Sequence, residues 1–237
     1  RPALGVAPFE SINPATGEVL AEIEGCGAAD VDAAVAAAKA AFESGVWSGL
    51  HPSARKAVLL RFAELIRENL TELAVMESLD SGKPITDTLN IDVPATADTI
   101  AWHAETQDKL FARVAPTDGD ALGMVVREPL GVAGIVLPWN FPMLMAAWKL
   151  GPALATGNSV VVKPAQMTTL TALRMAEIAI EAGIPPGVLN VVTGSGGVVG
   201  EALGLHPDVR IISFTGSTEV GRMFLDYSKR SNLKRVV

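Results

Sequence analysis

Asn140 stands inside Pro138-Trp139-Asn140-Phe141-Pro142, directly after the apolar run 132–137. Each proline fixes its own φ and pushes the preceding residue towards extended backbone. The amide of Asn140 is therefore presented from a stiff loop at the end of a strand, and it donates without carrying charge. A fixed neutral donor of that kind suits a developing oxyanion. The bland alternative is a proline-rich turn whose asparagine bonds its own backbone.

Other segments are placed in the same way. Lys163 ends Val160-Val161-Val162, and Pro164 keeps it extended. Its ammonium then reaches past the strand, where it suits ribose hydroxyls, unless it is simply a surface lysine at a strand end. Gln166, a few residues on, is placed to read a ribose 2′ position. Phe214-Thr215-Gly216-Ser217-Thr218-Glu219 joins an apolar strand to an amphipathic helix with Val220, Met223, Phe224 and Tyr227 facing the core. A small turn with free N–H groups at a helix N-terminus suits a pyrophosphate. It is equally consistent with a plain cap in which Ser217 or Thr218 accepts backbone bonds. Gly194-Ser195-Gly196-Gly197-Val198-Val199-Gly200 misses the G-x-G-x-x-G spacing, because position 199 is Val. Those glycines either leave room for an adenine or ribose or form a tight turn.

The elements that must position these residues follow from periodicity and punctuation. Short strands are expected within 9–24 around Asn13-Pro14-Ala15-Thr16-Gly17, then a helix over 31–42 starting at Asp30. Ser53 is a candidate cap for a long helix, or a pair, running to about residue 79. Asp80-Ser81-Gly82-Lys83-Pro84 breaks it, and a further helix spans about 87–110. Residues 111–127 read as strands around Asp118-Gly119-Asp120 with no apolar partner nearby. From Gly131 the pattern alternates: strands at 132–137, 159–163, 188–192 and 209–214, helices at 142–155, 169–182, 197–204 and 218–230. The strands are continuous Val/Ile runs, as when helices cover both faces. Successive βα units predict an α/β fold with a doubly wound, Rossmann-like parallel sheet, preceded by a helical and hairpin region. Ligands bind such sheets at the carboxyl ends of the strands, where Asn140, Lys163, Thr193 and Thr215 fall.

Composition narrows the classes. The 237 residues are 49% hydrophobic and 19% charged, which suits a soluble globular protein with a large core. A net charge of -7 leaves no basic stripe for nucleic acid. Cys26 is the single cysteine, so no disulfide framework forms and a reducing, cytoplasmic setting is expected. His51, His103 and His206 are far apart without ligand spacing, so no metal site is expected. The apolar stretch 135–148 is too short to span a bilayer and holds two prolines. No secretory signal is visible, although a chain that opens on Arg1 leaves a processed leader open.

In order and spacing, Pro138-Trp139-Asn140-Phe141-Pro142, Lys163-Pro164-Ala165, Pro186-Gly187-Val188-Leu189-Asn190 and Phe214-Thr215-Gly216-Ser217-Thr218 resemble the aldehyde dehydrogenase superfamily. The likeness extends to Asn13-Pro14-Ala15-Thr16-Gly17 and Gly82-Lys83-Pro84. Trp148-Lys149-Leu150-Gly151-Pro152-Ala153-Leu154 adds a resemblance to the branch acting on aminoaldehydes such as γ-glutamyl-γ-aminobutyraldehyde. The resemblance implies oxidation of an aldehyde to a carboxylic acid with NAD, through a cysteine thiohemiacetal and thioester. It makes Asn140 the oxyanion amide, Lys163 the ribose lysine and Ser217 the pyrophosphate contact. Trp139 would line the nicotinamide end, and Gly196, Gly197 and Val220 the adenine. Val136, Leu137, Pro138, Ala165, Gln166, Phe214, Thr215 and Gly216 complete the implied cofactor site.

The same resemblance divides the chain into an N-terminal portion of the nucleotide domain (1–110), an oligomerisation arm (111–127) and the nucleotide-binding core (128–237). It implies a homo-oligomer, a dimer or tetramer. Two departures stand out. Gln166 replaces the family's common Glu, and a neutral amide repels a 2′-phosphate less, so NADP should be usable as well as NAD. The family's nucleophilic cysteine and general-base glutamate come after the segment matching residues 217–237. The chain is therefore expected to be the nucleotide-binding portion of a longer enzyme, inactive alone. A free-standing, non-catalytic nucleotide-binding or assembly module is the alternative.

Overall fold

The computed structural model describes residues 3–4 and 6–237. Strands β1 (Val6–Ile12) and β2 (Val19–Gly25) form an antiparallel hairpin, and α1 (Ala28–Glu43) follows. Asp30 is not the residue before this helix but sits in its first turn. From there its carboxylate accepts from the amide of Gly27 at 3.0 Å. Helix α2 (Pro52–Glu68) likewise begins one residue before the expected cap. His51 caps it by accepting from the amide of Ser53, and Pro52 takes the first helical position, where no N–H is needed. After α3 (Leu70–Ser81), Gly82 closes the helix at φ 78°.

The helix expected over 87–110 is present as one unbroken helical run over residues 85–109: α4 (Ile85–Asp87), a wider turn at Thr88–Asp92, α5 (Val93–Thr106) and a tighter last turn at Gln107–Lys109. Pro94 explains the widened turn. It has no N–H to continue the ladder, and the turn before it widens so that Val93 N donates to Thr88 O. Strands β3 (Arg113–Ala115) and β4 (Gly123–Val125) then form a two-stranded ribbon. Phe111, Val114, Leu122 and Met124 on this ribbon are exposed.

The rest is the α/β core: β5 (Val132–Val136), α6 (Pro142–Ala155), β6 (Ser159–Lys163), α7 (Leu170–Glu181) and β7 (Leu189–Val191), then α8 (Glu201–Leu205), β8 (Val209–Phe214), α9 (Thr218–Arg230) and β9 (Arg235–Val236). The five strands run parallel in the order β7-β6-β5-β8-β9. Side chains alternate between two covered faces. Ala133, Ile135, Val160 and Val162 pack with α2, α3, α5, α6 and α7, whereas Val132, Val136 and Val161 pack with α1, α8 and α9. This alternation is why the strands carry no polar side. The chain leaves β5 towards β6 and β7, then returns to place β8 on the other side of β5. A crevice therefore opens beyond the carboxyl ends of β5 and β8. Among the described residues, no helix is long and apolar enough to cross a membrane, and no three His, Cys, Asp or Glu side chains cluster to hold a metal ion.

Candidate functional site

The crevice is a cavity of about 640 Å³. Its lining includes every residue of the implied cofactor and oxyanion site except Gln166: Val136, Leu137, Pro138, Trp139, Asn140, Lys163, Ala165, Gly196, Gly197, Phe214, Thr215, Gly216, Ser217 and Val220; Thr193, the remaining strand-end residue, faces another cavity beside Cys26. Gln166 follows Ala165 directly and is exposed just outside the cavity. Gly200, Met223, Phe224 and Tyr227 line it too. Sequence reasoning assigned the last three to the core. The available signal was their helical spacing from Val220, which puts them on one face of α9. Phe224 and Tyr227 are buried, but Met223 is half-exposed at the cavity. Phe214, Phe224 and Tyr227 stack in series, with ring centroids 5.2 and 5.7 Å apart, and form an aromatic floor.

The loop that carries Asn140 is tied down at its start, where Leu137 N donates to Lys163 O at 3.1 Å. On the neighbouring strand, Thr215 N donates to Val136 O at 3.2 Å, so both turns leave the sheet from bonded positions. Asn140 itself is exposed, and among the described residues its side chain makes no hydrogen bond. Asn13 shows the contrast, since its Oδ1 accepts from Ala15 N at 2.9 Å in a local turn. The self-bonded turn proposed as the bland alternative is therefore absent at Asn140.

Lys163 is 4% exposed, so it is no surface lysine. Its Nζ donates to Pro164 O at 2.9 Å and faces no carboxylate, and burial pushes its pKa down to about 8. A buried ammonium with donor capacity to spare is costly unless a ligand completes it. Ser217 does cap α9, accepting from Val220 N at 3.3 Å with extended backbone. The preceding amides of the first turn lie beyond the reach of helical acceptors, so capping by Ser217 does not use up the donors of this turn.

The glycines divide by cause. A Cβ on Gly216 would lie 2.6 Å from the Phe214 ring, and Gly194 holds φ +124° against the Cys26 carbonyl, so the fold requires both. A Cβ on Gly196 or Gly197 would meet nothing within 4 Å. Folding of this chain gives no reason for glycine at these two positions, and their bare backbone opens onto the cavity. Cys26 lies elsewhere, its sulfur 3.5 Å from Thr193 Oγ1.

The strand order and the crevice at the reversal point define a doubly wound α/β protein. More narrowly, the chain belongs to the aldehyde dehydrogenase family, which it matches over residues 4–237. It is 62% identical over 237 residues to the aminoacetaldehyde dehydrogenase of Pseudomonas aeruginosa, covering 100% of this chain and 48% of that protein. It is 49% identical to the NADP/NAD-dependent aldehyde dehydrogenase PuuC of Escherichia coli, covering 96% of this chain and 46% of that protein. The crystal structure of γ-glutamyl-γ-aminobutyraldehyde dehydrogenase from Burkholderia cenocepacia superposes with a TM-score of 0.98 at 57% identity, over 100% of this chain and 48% of that one. The chain thus spans about half the length of the relatives it matches.

Proposed function

We propose that this chain supplies the cofactor site and the oxyanion donor of an NAD(P)-dependent aldehyde dehydrogenase that oxidises small aminoaldehydes. The observation that carries this reading is the convergence, around one cavity, of an unbonded amide at Asn140, a buried unpaired ammonium at Lys163, and open backbone at Gly196 and Gly197. These residues fit a dinucleotide. Lys163 would donate to ribose hydroxyls, the amides at the start of α9 and Ser217 would take the pyrophosphate, and Gly196, Gly197 and Val220 would flank the adenine. Val136, Leu137, Pro138, Ala165, Phe214, Thr215 and Gly216 would form the apolar and backbone wall, with Trp139 towards the nicotinamide. The bound nicotinamide supplies the hydride acceptor.

The chain's own catalytic contribution is Asn140. When a thiolate adds to the aldehyde carbonyl, negative charge gathers on the former carbonyl oxygen. In this reading the Asn140 Nδ2–H would donate to that oxygen from a loop stiffened by Pro138 and Pro142. Cys26 does not line the cavity, so residues outside 1–237 would supply the thiolate and the base. The aminoaldehyde class rests on the names of two relatives, aminoacetaldehyde dehydrogenase and γ-glutamyl-γ-aminobutyraldehyde dehydrogenase. An exposed pocket lined by Trp102 and Trp148 adds an aromatic surface compatible with an ammonium group, while Asp98 at its edge is already paired with Arg67 at 2.7 Å.

In this reading residues 1–110 and 128–237 form the nucleotide-binding portion. Residues 111–127 serve as an oligomerisation arm, which suits the exposed apolar side chains of the ribbon. The test is NADH formation by the full-length enzyme with aminoaldehydes. Asn140→Ala should lower kcat about 10²-fold, the usual worth of one oxyanion donor. An unchanged kcat removes Asn140 from the mechanism.

A further inference from the structure

Glu77, on α3, is fully buried, and its two carboxylate oxygens reach different elements. Oε1 accepts from the backbone amide of Met143 at 3.1 Å, and Oε2 accepts from Thr171 Oγ1 at 2.7 Å. Met143 is the second residue of α6, three residues after Asn140. A second charge from the same region holds Phe141, the first of the two residues between them. Lys83 Nζ lies 3.4 Å from the ring centroid of Phe141 and is itself paired with the buried Asp92. The Asn140 loop is thus fastened at its start by the sheet, through Leu137 N, and at its end by two charged side chains from outside the sheet.

We propose that Glu77 is a positioning residue for the oxyanion site: its buried carboxylate clamps the first turn of α6 and so fixes the loop from which Asn140 projects. The proposal rests on the reading of Asn140 as oxyanion donor. Helix packing alone does not account for a charge here. Asp80, one turn further along α3, ties down the start of α7 through Leu170 N at a distance from the cavity. Glu77 spends its first bond on the segment that carries Asn140. A neutral amide of the same shape could accept from Met143 N and donate to Thr171 Oγ1. The carboxylate makes a stronger, charge-assisted bond and favours the positive end of α6.

That choice has a stability cost. Burial is the largest influence on Glu77 and pushes its pKa up from 4.5 to about 7; Asp92 adds to the rise, while the two hydrogen bonds and Lys83 oppose it. A raised carboxylate pKa means that the folded state holds the proton more tightly than the unfolded chain. The stability that this contributes is complete below pH 4.5 and lost as pH rises through 7. The clamp is strongest where Glu77 is ionised, the same range in which the fold bears the cost. Lys83 and Asp92 are the charged groups that face it.

The test uses Glu77→Gln, Asn140→Ala and the double variant in the full-length enzyme. Glu77→Gln should raise the unfolding midpoint at pH 8 and leave the Kd for NAD unchanged. It should lower kcat at pH 8 about tenfold, a modest share of the 10²-fold that a 1 Å misplacement costs. It should also flatten the part of the kcat profile that declines as pH falls through 7. A purely structural residue would move stability and kcat in the same direction. In the Asn140→Ala background the same substitution should have no further effect on kcat. A kcat for Glu77→Gln within twofold of the parent, or a tenfold loss that persists without Asn140, overturns the proposal. If Asn140→Ala alone leaves kcat unchanged, the oxyanion reading fails first and the positioning role falls with it. Should Glu77→Gln not fold, Thr171→Val carries the same comparison. It frees one carboxylate oxygen and should lower kcat about threefold, the net worth of one hydrogen bond, only when Asn140 is present.

Discussion

Replacing Lys163 by methionine probes the cofactor site at its most constrained group. In the free protein the ammonium is 4% exposed and, among the described residues, bonded only to Pro164 O, and burial lowers its pKa from 10.5 to about 8. That displacement corresponds to about 3 kcal/mol against the charged form. Ribose hydroxyls that accept from Nζ replace part of the lost solvation, so binding should raise the pKa back towards 10.5. The sign follows directly: the bound state keeps the proton that the free state sheds above pH 8, so affinity falls as pH rises. At pH 7 most free molecules are protonated and at pH 9 about one in ten is, so Kd for NAD should rise about tenfold between them.

Lys163→Met should raise Kd at pH 7 about 10- to 100-fold, the worth of a hydrogen bond to a charged group, and remove the pH slope. The same substitution should stabilise the free protein at neutral pH, because a buried charge disappears. That gain should shrink as pH rises from 8 towards 10.5, where the wild-type lysine is neutral in the fold but still charged in the unfolded chain. Quenching of tryptophan fluorescence by NAD at pH 7, 8 and 9 gives Kd directly, since Trp139 stands 54% exposed in the cavity wall. A wild-type Kd that is flat over this range, or an equal slope in Lys163→Met, refutes the assignment.

The glycines give a paired prediction. Gly197→Ala should leave thermal stability within about 0.5 kcal/mol, since its Cβ meets nothing within 4 Å, yet weaken NAD binding. Gly216→Ala should cost about 1–3 kcal/mol, because its Cβ would lie 2.6 Å from the Phe214 ring. Equal stability losses for the two, measured by thermal unfolding, would contradict the division between ligand room and packing. At Gln166, the neutral side chain should permit NADP as well as NAD. Comparing kcat/KM for the two cofactors checks this, and a preference for NAD above about a thousandfold would sink it.

The α/β core was legible because continuous Val/Ile runs and Gly or Pro punctuation are local signals. Lys163, Thr215 and Asn140 fall at strand ends for the same reason, and the switch-point rule brought them together before any contact was known. The helix over 87–110 was legible from its apolar spacing, but its widened turn before Pro94 was not, because periodicity does not register a missing N–H. Caps were misplaced by two residues at Ser53 and three at Asp30, where a histidine ring and a first-turn carboxylate do the capping. Met223 was assigned to the core but is half-exposed at the cavity, because one helix face can meet both; Phe224 and Tyr227 are core residues that line the cavity as well. Glu77 carried no readable signal at all. Its partners Met143 and Thr171 are remote in sequence, and only the folded chain shows that α3 reaches the start of α6.

The central position of β5 also bears on when the site comes into being. Val132 meets Ser159 on one side, a nearby stretch of chain, but meets Val209 on the other, a far longer closure. During synthesis the Asn140 loop and Lys163 can be set by the β5–β6 pairing while β8 is still being made. The Ser217 turn joins them only when β8 docks along the opposite edge. Cofactor affinity should therefore emerge in one step, late in folding, and a nascent chain stalled before β8 would carry an assembled oxyanion loop with no grip on the dinucleotide.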